Sequence, residues 1–143
     1  MNVIEAVTIR MLGKGDEALV HAAEDLFDDA PLAAQTQAFL ASERDFIWFA
    51  YLGKEAVGFV SATVLIHPDK EPHIFVNELG VDDDHRRQGI GSKLMAEAVS
   101  FARANNMAPL WLAAEGDDDL ANSFYRSLSE PTERGARVYE WEE

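Results

Sequence analysis

The stretch from His73 to Ala104 constrains this chain more than any other. It reads His73-Ile74-Phe75-Val76-Asn77-Glu78-Leu79-Gly80-Val81, then Asp82-Asp83-Asp84-His85, then Arg86-Arg87-Gln88-Gly89-Ile90-Gly91, then an apolar-periodic segment. A strand, a polar turn, a glycine-punctuated loop and a helix follow one another without a break. The helix is expected because Ile90, Leu94, Ala98 and Phe101 recur at steps of four, four and three, on one face of a helical period. Gly89 and Gly91 carry no Cβ where the backbone turns into that helix, so the amides there can approach a ligand closely. First-turn N–H groups have no intrahelical partner and stand at the positive end of the helix dipole. Such a start usually recruits an Asp or Glu cap. Arg86 to Lys93 contains no acid, in a chain with 26 of them, and Arg86, Arg87 and Lys93 flank the turn instead. This is the layout of an anion site, most simply one for a phosphate or pyrophosphate.

Two common phosphate motifs are excluded. No Gly-Lys-Ser/Thr follows four residues after a glycine, so the loop is not of the Walker type. One glycine pair without a surrounding βαβ unit is not the dinucleotide fingerprint. The length of 143 residues suits one domain with a real core, residues 1–143, and an apolar content of 48% supports a globular chain. No run of about 18 apolar residues exists to span a membrane. Met1 to Arg10 has no basic region and carries Glu5, which is not a secretory signal, so the expected location is cytoplasmic. The absence of cysteine removes disulfides, thiolate metal sites and a cysteine nucleophile. The net charge of −14 argues against nucleic-acid binding and for a cationic small molecule as partner.

Taken in order, Val7 to Leu12 alternates as a first strand. Asp16 stands before a helix from Glu17 to about Phe27, with Ala18, Leu19, Ala22, Ala23 and Leu26 as its buried side. Pro31 opens a shorter helix, Leu32 to Ala41. Phe46 to Leu52 and Ala56 to Ile66 form a hairpin about Gly53-Lys54-Glu55. His67 to Pro72 is a turn with two prolines, and His73 to Val81 is the next strand. After the organising helix, Pro109 to Ala114 reads as a strand, Leu120 to Leu128 as a helix, and Ala136 to Trp141 as a closing strand. The expected class is α/β (α+β), a mixed, mostly antiparallel sheet flanked by helices.

The loop Arg86-Arg87-Gln88-Gly89-Ile90-Gly91, behind a strand ending Glu78-Leu79-Gly80-Val81 and before an amphipathic helix, resembles the acetyl-CoA loop of the GNAT acetyltransferases. That pattern is Arg or Gln, two residues, Gly, one residue, Gly or Ala. The element order resembles the family's with one strand fewer at the end, and Ser127-Leu128-Ser129-Glu130-Pro131 replaces its usual Gly-Phe. The resemblance implies a cofactor, acetyl-CoA, held by Leu79, Gly80 and Val81 on a splayed strand and by Arg86, Arg87, Gln88, Gly89, Ile90, Gly91 and Ser92 in the loop. Asp118 stands where the family has an asparagine that touches the cofactor. Tyr125 matches the family tyrosine that protonates the departing CoA thiolate. By residue chemistry alone Tyr125 reads as well as a core tyrosine, and Gly80 as a kink, a bulge or a close backbone contact.

Glu78 precedes the segment where the thioester is expected. It is the carboxylate best placed to orient an amine or accept its proton. Glu115, at the end of the next expected strand, reads as an assisting carboxylate or as a solvated rim residue, and Asp28, Asp29 and Asp117 read as loop acids ringing an acceptor or as caps and solvated loop residues. His85 sits beside three aspartates, but consecutive acids point in different directions and no second histidine has ligand spacing, so no metal is expected. His21, His67 and His73 are scattered. Within the family the chain is most similar to the aminoglycoside 3-N-acetyltransferases, through Asp25-Leu26-Phe27, Glu55-Ala56-Val57-Gly58, Glu78-Leu79-Gly80-Val81, His85 to Ile90 and Gly116-Asp117-Asp118. The implied reaction is direct transfer of an acetyl group to a primary amine of a cationic small molecule, as in antibiotic resistance. A polyamine or other small-amine acetyltransferase and a non-catalytic acyl-CoA-binding module are the alternatives. The resemblance also makes a homodimer an expectation, since dimers are common for this fold.

Overall fold

The β-rich runs find one another as a single sheet. In the structure, a computed structural model that describes residues 3–128 and 131–142, the strands are Val7–Met11 (β1), Asp45–Leu52 (β2), Glu55–His67 (β3), Lys70–Val81 (β4) and Leu110–Trp111 (β5), in spatial order β1-β2-β3-β4-β5. Strands β1 to β4 pair antiparallel and β5 joins β4 in parallel. The helices are Val3–Ala6 (α1), Glu17–Ala22 (α2), Ala33–Ala41 (α3), Ile90–Ala104 (α4) and Asp119–Ser127 (α5), with 3-10 turns at Glu24–Leu26 and Asp83–His85. This is the mixed α/β class expected from the sequence. The described residues fall into two compact units, one ending at Leu112 and one beginning at Ala113. Among them no helix is long and apolar enough to cross a membrane.

One face of the sheet in the first unit carries α4. Ile90, Leu94 and Ala98 are buried as their spacing predicts, joined by Met95 and Ala102. Phe101 packs its ring 4.8 Å from Phe46 and 5.3 Å from Trp48. Complete burial of Ile90 and Leu94 stabilises the contact by about 1.5–3 kcal/mol each. Gly58 of β3 permits this approach, because a Cβ there would lie 3.1 Å from Ile90 Cγ2, Leu94 Cδ1 and the Gly80 carbonyl oxygen. The other face packs Leu12, Val20, Ala23, Leu40, Ile47, Phe49 and Phe59 into a core, with Phe27 4.4 Å from Phe59.

Several boundaries differ from the sequence expectation. The first long helix stops at Ala22 and continues as a 3-10 turn. Its buried residues are Val20 and Ala23, with Leu19 partly buried against the same core, while Ala18 and Ala22 are exposed, because the helix turns its larger apolar residues inward. The turn expected over His67 to Pro72 is tight, at Pro68 and Asp69, and Lys70-Glu71-Pro72 belongs to β4. The ladder shifts between Leu65 and His67 there, which accommodates the missing Pro72 N–H. The strand expected over Pro109 to Ala114 shrinks to two residues. The expected closing strand, Ala136 to Trp141, has no regular structure, and Val138, Tyr139 and Trp141 are 68%, 73% and 90% exposed. Alternation makes a strand only where a neighbour and a buried face exist. Ser129 and Glu130, in the segment that departs from the family pattern, lie outside the described residues.

Candidate functional site

The loop before α4 is shaped by two residues in left-handed backbone. Asp82 caps the 3-10 turn by accepting from the Asp84 N–H at 3.3 Å and lies 3.1 Å from His85 Nδ1. Arg87 then takes φ 62° and Gly89 φ 84°, and α4 starts at Ile90 with Gly89 as its N-cap residue. No side chain caps this start and its first turn holds no acid. Gln88 Oε1 is buried beside it with no hydrogen-bond partner among the described residues. Amides opened by left-handed residues at the start of a long helix suit an anion. The local geometry therefore fits a pyrophosphate on residues 87–92. The Ile90 side chain is in the core, which leaves only its backbone facing the loop. Ser92 is exposed in the first turn.

The flanking cations are used differently from the sequence expectation. Lys93 points away from the loop and donates to the Val7 carbonyl and, at 3.4 Å, to the Ile4 carbonyl. Arg86 pairs with Asp83 at 2.9 Å on the surface. An exposed pair of this kind is weak and can open to an incoming anion.

Strand β4 supplies the second part. It pairs with β3 along its length but with β5 only at Ile74 and Phe75. Beyond that point its outer edge has no strand beside it among the described residues, so backbone groups within residues 76–81 remain available. Leu79, Gly80 and Val81 lie in this open stretch. The bulge considered for Gly80 is located at Asn77 instead. Ser61 faces Glu78 and Ala62 faces Val76, so Asn77 is the extra residue. Its side chain donates to Thr63 Oγ1 at 2.8 Å. Gly80 is required by packing, because a Cβ there would sit 2.7 Å from Phe59 Cε1 and 2.9 Å from the Leu26 carbonyl oxygen.

The bulge decides where Glu78 points. Without it, Glu78 would share the α4 face with Ile74 and Val76, since strand side chains alternate with period two. With it, Glu78 stands on the opposite face beside Ser61 and enters a cleft of about 190 Å³. Phe27, Pro31, Leu32 and the α3 residues Gln35, Thr36, Phe39 and Leu40 wall this cleft, over a floor of Val20, Ile47 and Ser61. Glu78 keeps one side exposed. Burial of the other raises its pKa above the ordinary carboxyl value, and the Asp28 and Asp29 carboxylates raise it further. The fold thus gathers three of the expected acceptor acids, Glu78, Asp28 and Asp29.

Glu115, Asp117, Asp118 and Tyr125 belong to the second unit. Asp118 is the N-cap of α5 and accepts from the Ala121 N–H at 3.0 Å. Asn122 donates to the Glu115 and Asp118 carbonyls, at 2.9 Å each. Glu115 and Asp117 are exposed in the turn before the helix. The Tyr125 phenol pKa is pushed up by burial and then by Asp118. It therefore holds its proton throughout the neutral range.

Histidines that look scattered in the sequence meet in space. His67 and His73 face each other across the β3–β4 hairpin with Nε2 atoms 2.9 Å apart. Glu55, Asp82 and His85 each place a ligand atom within 4.8 Å of the others, with Glu55 exposed. The cleft wall was missed in the sequence. Its available signal was residues 30–42, which hold no charge in an otherwise acidic chain.

The Acetyltransferase (GNAT) family pattern matches residues 16–129, across the boundary between the two units. Over 90 residues the chain is 30% identical to a probable N-acetyltransferase, camello, of Xenopus laevis, covering 63% of this chain and 40% of that protein. The chain thus matches about two fifths of the length of that relative. An aminoglycoside acetyltransferase from an uncultured soil metagenomic sample, solved in complex with sisomicin, has a TM-score of 0.91 at 23% identity, with 98% of each chain covered. An aminoglycoside N-acetyltransferase in complex with CoA has a TM-score of 0.76 at 17% identity, with 94% of each covered. Those identities show a shared fold. With the family pattern matched over most of its length, the chain belongs to the GNAT acetyltransferase family.

Proposed function

We propose that the chain, as one domain over residues 1–143, is an N-acetyltransferase that acetylates a primary amine of a cationic small molecule, and that Glu78 receives that amine. The observation carrying this reading is the Asn77 bulge, which turns Glu78 into a cleft with Asp28 and Asp29 beside it. Acetyl-CoA supplies the acetyl group as its thioester. Leu79, Gly80 and Val81, through their backbone, and Arg86, Arg87, Gln88, Gly89, Ile90, Gly91 and Ser92 would hold it. Glu78 holds the ammonium and takes its proton, and a pKa raised toward neutrality suits a general base. Tyr125 keeps a phenol proton and is proposed as the acid, supported by its match to the family tyrosine. Glu115 and Asp117 are proposed acceptor contacts and Asp118 a cofactor contact on the same basis. Transfer is direct, with no covalent acyl-enzyme.

An aminoglycoside is the first candidate acceptor, supported by the sisomicin complex of the structural neighbour and by the charge of −14. Acetylation at the 3-amino group is the finest form of this reading and a polyamine the second candidate. The test is thiol release from acetyl-CoA with sisomicin, gentamicin, spermidine, a peptide N-terminus and a simple monoamine at low and high salt. Acetylation of a polycation, with KM rising as salt screens Glu78, Asp28 and Asp29, is expected, and product NMR then identifies the nitrogen. Thiol release with none of the amines overturns the enzyme and leaves an acyl-CoA-binding module.

A further inference from the structure

The interior of the cleft does not match its mouth. Glu78, Asp28 and Asp29 make the mouth acidic, yet residues 30–42, which form much of the wall, carry no charge. Phe27, Phe39, Leu40 and Ile47 present carbon, and besides Glu78 the polar lining is Gln35, Thr36 and Ser61. Thr36 and Ser61 are 7% and 4% exposed. Leu32 is 66% exposed and continues the apolar surface outward. A largely apolar lining with a few convergent polar groups is the usual character of a small-molecule site. The volume of about 190 Å³ sets the scale. A cavity of about 150 Å³ lined by aliphatic and aromatic side chains accepts a benzene ring, whereas whole drug-sized ligands use about 300–1,000 Å³. The cleft therefore takes one ring-sized group. A sugar seated in it would leave hydroxyls unpaired against carbon, and unpaired polar groups are what binding sites reject most strongly.

We propose that this cleft is a specificity subsite for a compact, uncharged apolar substituent, aromatic or branched alkyl, carried close to the acceptor amine. The ammonium sits at Glu78 and the acidic mouth, and the carbon group lies between α3 and the sheet. An amphiphilic amine would then use both the acidic mouth and the cleft, whereas a polycation such as an aminoglycoside uses the acidic mouth alone. The subsite rests on Glu78 receiving the amine, as proposed above.

The experiment compares kcat/KM for 2-phenylethylamine, ethylamine, propane-1,3-diamine and sisomicin, with calorimetric binding of 2-phenylethylamine to the CoA-saturated protein as a second readout. 2-Phenylethylamine should exceed ethylamine by tenfold or more. Gln35→Trp, at an exposed α3 position, partly fills the cleft and should cut that ratio at least tenfold. Phe39→Ala widens the cleft and should move the preference toward an indolyl-ethylamine. Melting curves establish that each variant is folded, and Gln35→Trp keeps the test if Phe39→Ala is not. Equal rates for 2-phenylethylamine and ethylamine, unmoved by Gln35→Trp while sisomicin or the diamine turns over, overturn the subsite and leave acetyl transfer standing. Binding of 2-phenylethylamine that is lost in Gln35→Trp, without turnover of any amine, keeps the subsite and overturns the enzyme. Neither binding nor turnover overturns both.

Discussion

Replacing Gly80 by alanine adds one methyl group where the neighbouring atoms leave no room for it. The new Cβ would meet Phe59 Cε1 at 2.7 Å, Phe59 Cδ1 at 3.2 Å and the Leu26 carbonyl oxygen at 2.9 Å. Comfortable carbon contacts lie at about 3.5–4.0 Å, so a neighbour must retreat by roughly 1 Å. Neither does so easily. The Leu26 oxygen is backbone, held between the 3-10 turn and the sheet. Phe59 is 2% exposed, with the rings of Phe27 and Phe49 centred 4.4 Å and 6.0 Å away. Overpacking of this kind costs about 1–3 kcal/mol. Alanine returns about 0.4–1 kcal/mol by narrowing the unfolded ensemble, since Gly80 has no positive φ to oppose it. Because one crowded neighbour is backbone, the upper part of the overpacking cost applies, about 2–3 kcal/mol, and the net loss expected is about 1–2.5 kcal/mol, which lowers Tm by about 2–10 °C at this size. Urea unfolding should show the midpoint falling with an unchanged slope. Gly116→Ala is the control. A Cβ there meets nothing within 4 Å and no positive φ opposes it, so alanine should be neutral or stabilising, by up to about 1 kcal/mol. A Gly80→Ala protein as stable as wild type would show that β4 moves freely off Leu26, and the packing account of this glycine would be wrong.

Glu78→Gln should raise stability at neutral pH while lowering kcat/KM. Because the folded carboxyl pKa lies above its unfolded value, the wild type binds more protons folded than unfolded between the two, and stability falls as pH rises through that window. The Tm difference should be near zero at low pH, open above the ordinary carboxyl pKa and reach its full size above the raised one. A constant gap, or one of opposite sign, contradicts the assignment. CoA at 100 times its dissociation constant should stabilise the wild type by about 2.7 kcal/mol. Gly89→Val, forced into φ 84°, should still melt cooperatively but show no CoA shift, and a retained shift moves the anion site elsewhere. Tyr125→Phe should lower kcat by a factor on the order of 10²–10⁴ with little change in either KM. Unchanged kcat, with chemistry limiting turnover, makes Tyr125 a packing residue.

What the sequence determined by itself was local. The face of α4 was legible because Ile90, Leu94 and Ala98 repeat at the helical period, and burial follows that repeat directly. The turn into that helix was legible because Gly89 admits left-handed backbone ahead of a first turn without acids. The hairpin of β2 and β3 was legible from two β-rich runs about a glycine turn. The tertiary structure decided everything that depends on pairing between distant segments. Whether Glu78 faced α4 or the cleft turned on one unpaired residue, Asn77, and the register of β4 against β3 exists only once both strands are in place. Lys93 carries the same charge in either reading, but the carbonyls of Val7 and Ile4 capture it only after the chain folds back on itself. Gly80 reads as a flexible residue until Leu26 and Phe59 close over it. The segment Ala136 to Trp141 alternates as well as any strand in the chain, yet stays irregular, because a β-pattern states a preference and only a neighbouring edge can satisfy it. The cleft is the furthest case, since its lining comes from five separate stretches between Val20 and Glu78 whose common surface is created by the fold.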